Sequence, residues 1–184
     1  MALTPSNMLP LGTKAPEFNL INTIDNSMVT LNKSKGVNGT VIMFICNHCP
    51  FVIHVNSELS KLAKDYITKG INCIAISSND AINYPADAPD KMKDNAIRHD
   101  FIFPYLYDET QDVAKAYDAA CTPDFYVFDS TLQLVYRGQL DNSRPGNGIP
   151  VTGEDLRFAI EAMLNNQNQR DIQKPSIGCN IKWK

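Results

Sequence analysis

"TVIMFICNHCPFVIHVNSELSKLA", residues 40–63, holds an apolar run, two cysteines two residues apart, and then an amphipathic run. Residues 40–45 are short, apolar and rich in β-branched side chains, the pattern of a buried strand. After Cys49, apolar residues recur at Val52, Val55, Leu59, Leu62 and Tyr66. These steps of three and four place them on one face of a helix that ends at Gly70. Cys46 therefore closes a strand, and Cys49 falls in the first turn of the next helix. Pro50 fits there because first-turn N–H groups have no helical partners. A thiolate at that place faces unpaired N–H groups and the positive end of the helix dipole, which lower its pKa. The two-residue spacer lets the sulfurs meet as a disulfide without rearranging the backbone.

Outward from this unit, strands and helices alternate. Upstream, "EFNLINTIDNSMVTL" (17–31) alternates and turns at Asp25-Asn26-Ser27, a hairpin signal. Downstream, 71–78 reads as a second buried strand, and the polar stretch 79–100, with two prolines, as a loop and an amphipathic helix. A strand follows at 103–108, a helix at 110–120, and a strand at 124–129 paired with 132–140 through Ser130-Thr131. The last helix spans 152–164, with Thr152 as its cap. This order predicts an α/β fold: a central mixed sheet flanked by helices, extended by an N-terminal hairpin. One domain is expected over 1–164. The tail, 165–184, is polar and then regains apolar character at Ile177, Ile181 and Trp183, so it is expected to dock on the same domain.

The composition is that of an ordinary globular chain: 184 residues, 43% hydrophobic, 20% charged, net charge -3. That mild acidity gives no reason to expect nucleic acid or an anionic membrane as a partner. No apolar run approaches the ~20 residues that span a bilayer. The first twenty residues lack a basic start and a continuous apolar segment, so a cytoplasmic location is expected. Five cysteines, an odd count, do not make a disulfide framework, and a close pair in a reducing compartment points to catalysis or metal. A zinc site needs two more ligands, and no second C-x-x-C exists. His54, five residues past Cys49, lies about 140° around the helix, and His99 reads as a surface residue. A thioredoxin-like copper chaperone would separate its cysteines by three residues, not two. C-x-x-C beside a βαβ pattern is a redox signature, so the pair is assigned as a redox couple with no metal.

The chain resembles thioredoxin-like redoxins, the broad group of AhpC/TSA peroxiredoxins and TlpA-related thiol–disulfide oxidoreductases. "LGTKAPEFNL" (11–20) resembles the group's G-x-x-A-P-x-F-x-L, "CNHCP" (46–50) lies where the group holds its redox site, and "CTPDFYVFD" (121–129) resembles its proline loop. The likeness covers about residues 8 to 164, and the tail resembles the G-C-x-I-K-W ending of thioredoxin family proteins. It implies a thioredoxin-like fold, Cys46 as nucleophile at the mouth of the site, Cys49 as resolving thiol, and a cis bond at Thr122-Pro123. That turn would present backbone groups to an extended peptide substrate.

There are departures. Overlaid on the peroxiredoxin Thr-x-x-Cys, Cys46 replaces the Thr and Cys49 takes the peroxidatic position, and the place of the family's later Arg falls near Pro123, where this chain has none; the missing Thr and Arg count against peroxide binding. The buried Asp of thioredoxin corresponds to Thr40 and its Trp to Ile45.

Several residues remain as modulators. His48 would favour a thiolate on Cys46 if charged. Arg144, in the loop 141–153, could hold an anionic substrate or a thiolate, or simply be solvated. Cys121 and Cys179 could approach the pair or could only pack, and Cys73 reads as core. The expected activity is thiol–disulfide exchange without an organic cofactor, on a protein or small-molecule disulfide, with a thiol reductant to recycle the pair. The alternatives are a thiol peroxidase acting on peroxide through the same cysteines, and a copper-delivery protein.

Overall fold

A computed structural model describes residues 3–170 and 172–184. In chain order the elements are β1 (Leu3–Pro5), β2 (Asn19–Asn22), β3 (Met28–Thr30), α1 (Leu31–Ser34), β4 (Gly39–Phe44), α2 (Pro50–Ile67) and β5 (Ile71–Ser77). Then come α3 (Pro89–Arg98), β6 (Tyr105–Tyr107), α4 (Asp112–Ala116), β7 (Cys121–Thr122), β8 (Asp124–Asp129), β9 (Leu134–Gly138), α5 (Glu154–Leu164) and β10 (Ile177–Asn180). A 3-10 turn, Pro85–Asp87, precedes α3.

β4 is buried along its whole length, pairing parallel with β5 and antiparallel with β8. The seven-stranded sheet runs β3-β2-β6-β5-β4-β8-β9, with hairpins β2–β3 and β8–β9 at its edges. Side chains along a strand alternate between faces, so an unbroken apolar strand needs cover on both. Val41 and Met43 pack on the side of Val52, Val55 and Leu59 from α2 and Ile160 from α5. Ile42 and Phe44 face the other way, onto Leu31, Ala114 and Tyr117. Leu59 is fully buried, and truncating such a leucine to alanine costs ~2–5 kcal/mol. This mixed sheet with helices on both faces is the thioredoxin-like α/β arrangement expected from the sequence.

The differences are local and have physical causes. α4 is shorter than the 110–120 expected, bracketed by Gln111 at φ 66 and Asp118 at φ 50, left-handed values that a helix interior excludes. α5 is not capped by Thr152: Gly153, at φ 68, precedes it, and the N–H groups of Thr152 and Gly153 both donate to Asp141 Oδ2 at 2.7 Å. A carboxylate from the preceding loop thus does the work expected of a threonine hydroxyl. β10 forms from the tail and lies between β1 and β7 in a second, three-stranded sheet. β1, in the first ten residues, had no sequence signal. Of the tail's apolar residues, Ile181 is buried, whereas Ile177 and Trp183 stay exposed at their partly open positions. Among the described residues, no helix is long and apolar enough to cross a membrane.

Candidate active site

β4 ends at Phe44, and the Ile45 N–H still donates to Ile76 O at 3.0 Å, so the chain leaves the sheet at Cys46. Cys49 is the residue just before α2, one position earlier than expected, and its carbonyl accepts the N–H groups of Val52 and Ile53 at 3.0 Å. Pro50 occupies the first helical position, where its missing N–H costs nothing. The Thr122-Pro123 bond is cis, and it lies against both cysteines. Cys46 Sγ is 3.3 Å from Thr122 Oγ1, and the Cys49 thiol, when protonated, donates to Thr122 O at 3.2 Å. A third sulfur joins them: Cys179 Sγ, on β10, is 2.8 Å from Cys49 Sγ.

The charge distribution differs from the expectation. The Cys49 thiol is brought down to about 5, chiefly by donation from the Cys46 thiol. Burial opposes this, while the Cys179 thiol and the N–H groups of Val52 and Cys179 add to it. Cys46 moves the other way, pushed well above the ordinary thiol value by its donation to Cys49, by burial and by the charge of Asp87. Nor is Cys46 at an open mouth: it is 1% exposed, and Cys49 0%. Both directions favour negative charge on Cys49 over Cys46, and the tail strand reaches the pair through Cys179.

His48 does not act on Cys46 as an isolated cation. Its Nδ1 is 2.6 Å from Asp87 Oδ2, a bond that raises its pKa, and its ring stacks on Tyr84. The pair is neutral when both members are charged, so it lends Cys46 no net positive field. Asp87 is completely buried and also accepts from the N–H groups of Asn47, at 2.7 Å, and His48, at 3.3 Å, and from Asn79 Nδ2, at 2.7 Å. Burial alone would raise its carboxyl, but the bonds from His48 and Asn79 hold it below the usual range. Asp87 had no local signal, since an acid between two prolines in a polar stretch reads as solvated.

Cys46, His48 and Asp87 bring ligand atoms within 4.8 Å of one another. The nearest carboxylate oxygen and imidazole nitrogen already bond each other, so a cation would have to displace that bond. The other candidates stand apart. Cys121 is buried, with Sγ 3.8 Å from Pro123 O, and burial pushes its pKa up. Cys73 sits in β5 with its thiol pushed up to about 12 by burial, as expected of a core residue. His54 turns away from the cysteines to Ser143 Oγ at 2.7 Å. Arg144 lines a shallow cleft with Phe51 and Pro123, but its guanidinium donates to Asp141 O, Ser143 O and Gln139 Oε1. Those bonds hold it to its own loop rather than to a sulfur.

Residues 11–137 match the sequence profile described as the AhpC/TSA family. An uncharacterized conserved protein from Geobacillus kaustophilus is 61% identical, with a TM-score of 0.98 over 100% of this chain and 97% of the other. A hypothetical protein from Sinorhizobium meliloti 1021 is 45% identical, with a TM-score of 0.96 over 98% of each chain. The thioredoxin domain of a thiol-disulfide oxidoreductase from Bacteroides vulgatus shares the fold at 19% identity and a TM-score of 0.60, over 71% of this chain and 89% of the other. A search of curated proteins returns no match.

Proposed function

The chain belongs to the AhpC/TSA family, and from that premise we propose that it is a thiol–disulfide oxidoreductase whose couple is Cys46 and Cys49. The observation that carries this reading is the contact of both sulfurs with Thr122, beside the cis Thr122-Pro123 bond. Cys49 is the thiol whose pKa is lowered, so in this reading it ionises and attacks a sulfur of the substrate disulfide, releasing one thiolate. Cys46 then gives up its proton, attacks the Cys49 sulfur of the mixed disulfide and expels the second thiolate. This order is the reverse of the one implied by the resemblance. The His48–Asp87 pair places its ligand atoms within 4.8 Å of the Cys46 sulfur. An external thiol reductant restores the dithiol.

Peroxidase chemistry is the second reading, favoured by the thiolate on Cys49, the residue that overlays the peroxidatic position. There Cys49 would attack the O–O bond, become a sulfenic acid, and condense with Cys46 to release water. Reduced protein mixed with bis(2-hydroxyethyl) disulfide or with hydrogen peroxide separates the two by the oxidant consumed. For the disulfide, Cys49→Ser should release no thiol from the reagent, whereas Cys46→Ser should still release it. A Cys49→Ser chain that carries the mixed disulfide on Cys46 returns the attacking role to Cys46. Rapid peroxide turnover without disulfide turnover replaces the first reading by the second.

A further inference from the structure

The edge next to the cis bond is already filled. β7 runs directly into Thr122-Pro123, and β10 pairs with it antiparallel, Cys179 opposite Thr122 and Asn180 opposite Cys121. An extended peptide substrate laid on this edge would make the same backbone pairing. The fit is close: a Cβ on Gly178 would stand 2.0 Å from Thr122 O, so the strand approaches as it does only because residue 178 is glycine. The residue after that glycine is Cys179, and its sulfur is 2.8 Å from Cys49 Sγ. A disulfide bond is ~2.05 Å long, so the two sulfurs need to close by less than ~1 Å to bond. Cys121, by contrast, lies on β7 itself with its thiol toward Pro123 O.

We infer that β10 is the chain's own bound peptide on the cis-proline edge, and that Cys179 is a third redox-active thiol that exchanges with the Cys46–Cys49 disulfide to form Cys49–Cys179. This rests on the couple proposed above. In the exchange, Cys179 attacks the Cys49 sulfur, the Cys46–Cys49 bond breaks, and the proton lost by Cys179 is taken up by the departing Cys46 sulfur. One S–S bond replaces another and the two-electron oxidised state is conserved. The oxidant that makes the first bond is a low-molecular-weight disulfide, reduced to two thiols. In the exchanged state the tail strand is covalently fixed over Thr122, whereas in the reduced protein backbone pairing with β7 holds it there without a covalent bond.

Trypsin makes the states distinguishable. Cys46 and Cys49 share the peptide 36–61, while Cys179 falls in the peptide 171–182, where Pro175 blocks cleavage after Lys174. Reduced full-length protein is treated with bis(2-hydroxyethyl) disulfide, quenched in acid, alkylated with N-ethylmaleimide, digested and read by mass spectrometry. The wild-type chain should first show an internal disulfide in 36–61 and then the two peptides cross-linked through Cys49, with Cys46 alkylated. Cys46→Ser should go straight to the cross-link, and Cys46→Ser with Cys179→Ser should keep the 2-mercaptoethanol adduct on Cys49. Gly178→Ala, which leaves every thiol in place, should slow the cross-link relative to the internal disulfide. If Cys46→Ser, folded by circular dichroism, keeps the adduct and forms no cross-link while the wild type forms the internal disulfide, Cys179 has no redox role and the couple stands. If the wild type never forms the internal disulfide, the couple fails, and the exchange step with it.

Discussion

Replacing Cys46 with alanine removes the largest cause that brings the Cys49 thiol down to about 5. A hydrogen bond to a charged group is worth ~1.5–3 kcal/mol, and ~1.36 kcal/mol corresponds to one pKa unit, so Cys49 should climb to between ~6 and ~7. It should stop short of the ordinary ~8.5 because the Cys179 thiol and the N–H groups of Val52 and Cys179 still point at it. The Cβ shifts of cysteine-13C-labelled protein, followed against pH, report each thiol separately. Reactivity offers a second readout. At pH ~7 a thiol at about 5 is ~99% ionised against ~3% for an ordinary one, a gain of ~30-fold. The same fall in basicity costs ~40-fold in nucleophilicity at a Brønsted slope of ~0.45, so the two effects nearly cancel. At pH ~5.5 the ionised fraction favours Cys49 by ~750-fold and leaves a net advantage of ~20-fold. The wild type should therefore react with a small disulfide at a rate almost flat above pH ~6, and Cys46→Ala should move that rise upward. A Cys49 shift that titrates near ~8.5 in the wild type, or one that Cys46→Ala leaves unmoved, refutes the assignment of the resting charge.

Asp87→Asn should lower the pKa of His48 and of Cys46, since the carboxylate raises both, and histidine and cysteine NMR titrations will read the two shifts. The same change sets an amide N–H₂ among donors that now converge on a carboxylate, at a cost of ~1–3 kcal/mol in a urea melt; a neutral result sinks the buried role of Asp87. Because the folded-state pKa of Cys49 is depressed, the stability it lends is full above the unfolded thiol's value and is lost as pH falls through about 5. Reduced protein should thus gain stability across that window, and protein with Cys49 in a disulfide should not show this part of the slope; matching slopes count against the thiolate. Arg137→Met leaves the fully buried Asp124 without its partner at 3.0 Å, and should cost ~3–5 kcal/mol near neutral pH. Burial already raises Asp124 to about 6, so its protonated form is favoured in the fold below the ordinary ~3.9 and that advantage is lost as pH rises through about 6. The deficit of Arg137→Met against wild type should accordingly shrink on acidification, and a constant deficit argues against a stranded carboxylate.

The sheet was legible because its signals are short-range. The run 40–45 and the steps of three and four after Cys49 needed no partner to be read, and the structure buries Val52, Val55, Leu59, Leu62 and Tyr66 together. The boundaries that slipped, at α4 and at the start of α5, are those set by contacts between residues distant in sequence. Gln111 turns to the carbonyls of Ser78 and Lys182, and Asp141 reaches over to the start of α5. β1 and β10 were hidden for a related reason: strands of three and four residues have too little pattern to stand out, and become strands by pairing, β1 with β10 and β10 with β7.

The same distinction separates what the C-x-x-C spacing decides from what it leaves open. Spacing brings two sulfurs to the end of a strand and the start of a helix, and helix polarity lowers the pKa of whatever thiol sits there. It does not choose between them. That choice is made by groups with no fixed spacing from the pair. Cys179, 130 residues from Cys49, supplies both a thiol and an N–H to it. Asp87 places a buried negative charge on the other side, beside Cys46, and takes up the one cation that the spacer offers, His48. Donors gather at Cys49 and a carboxylate stands at Cys46, so both contributions favour charge on Cys49, the sulfur that the family resemblance had made the resolving one.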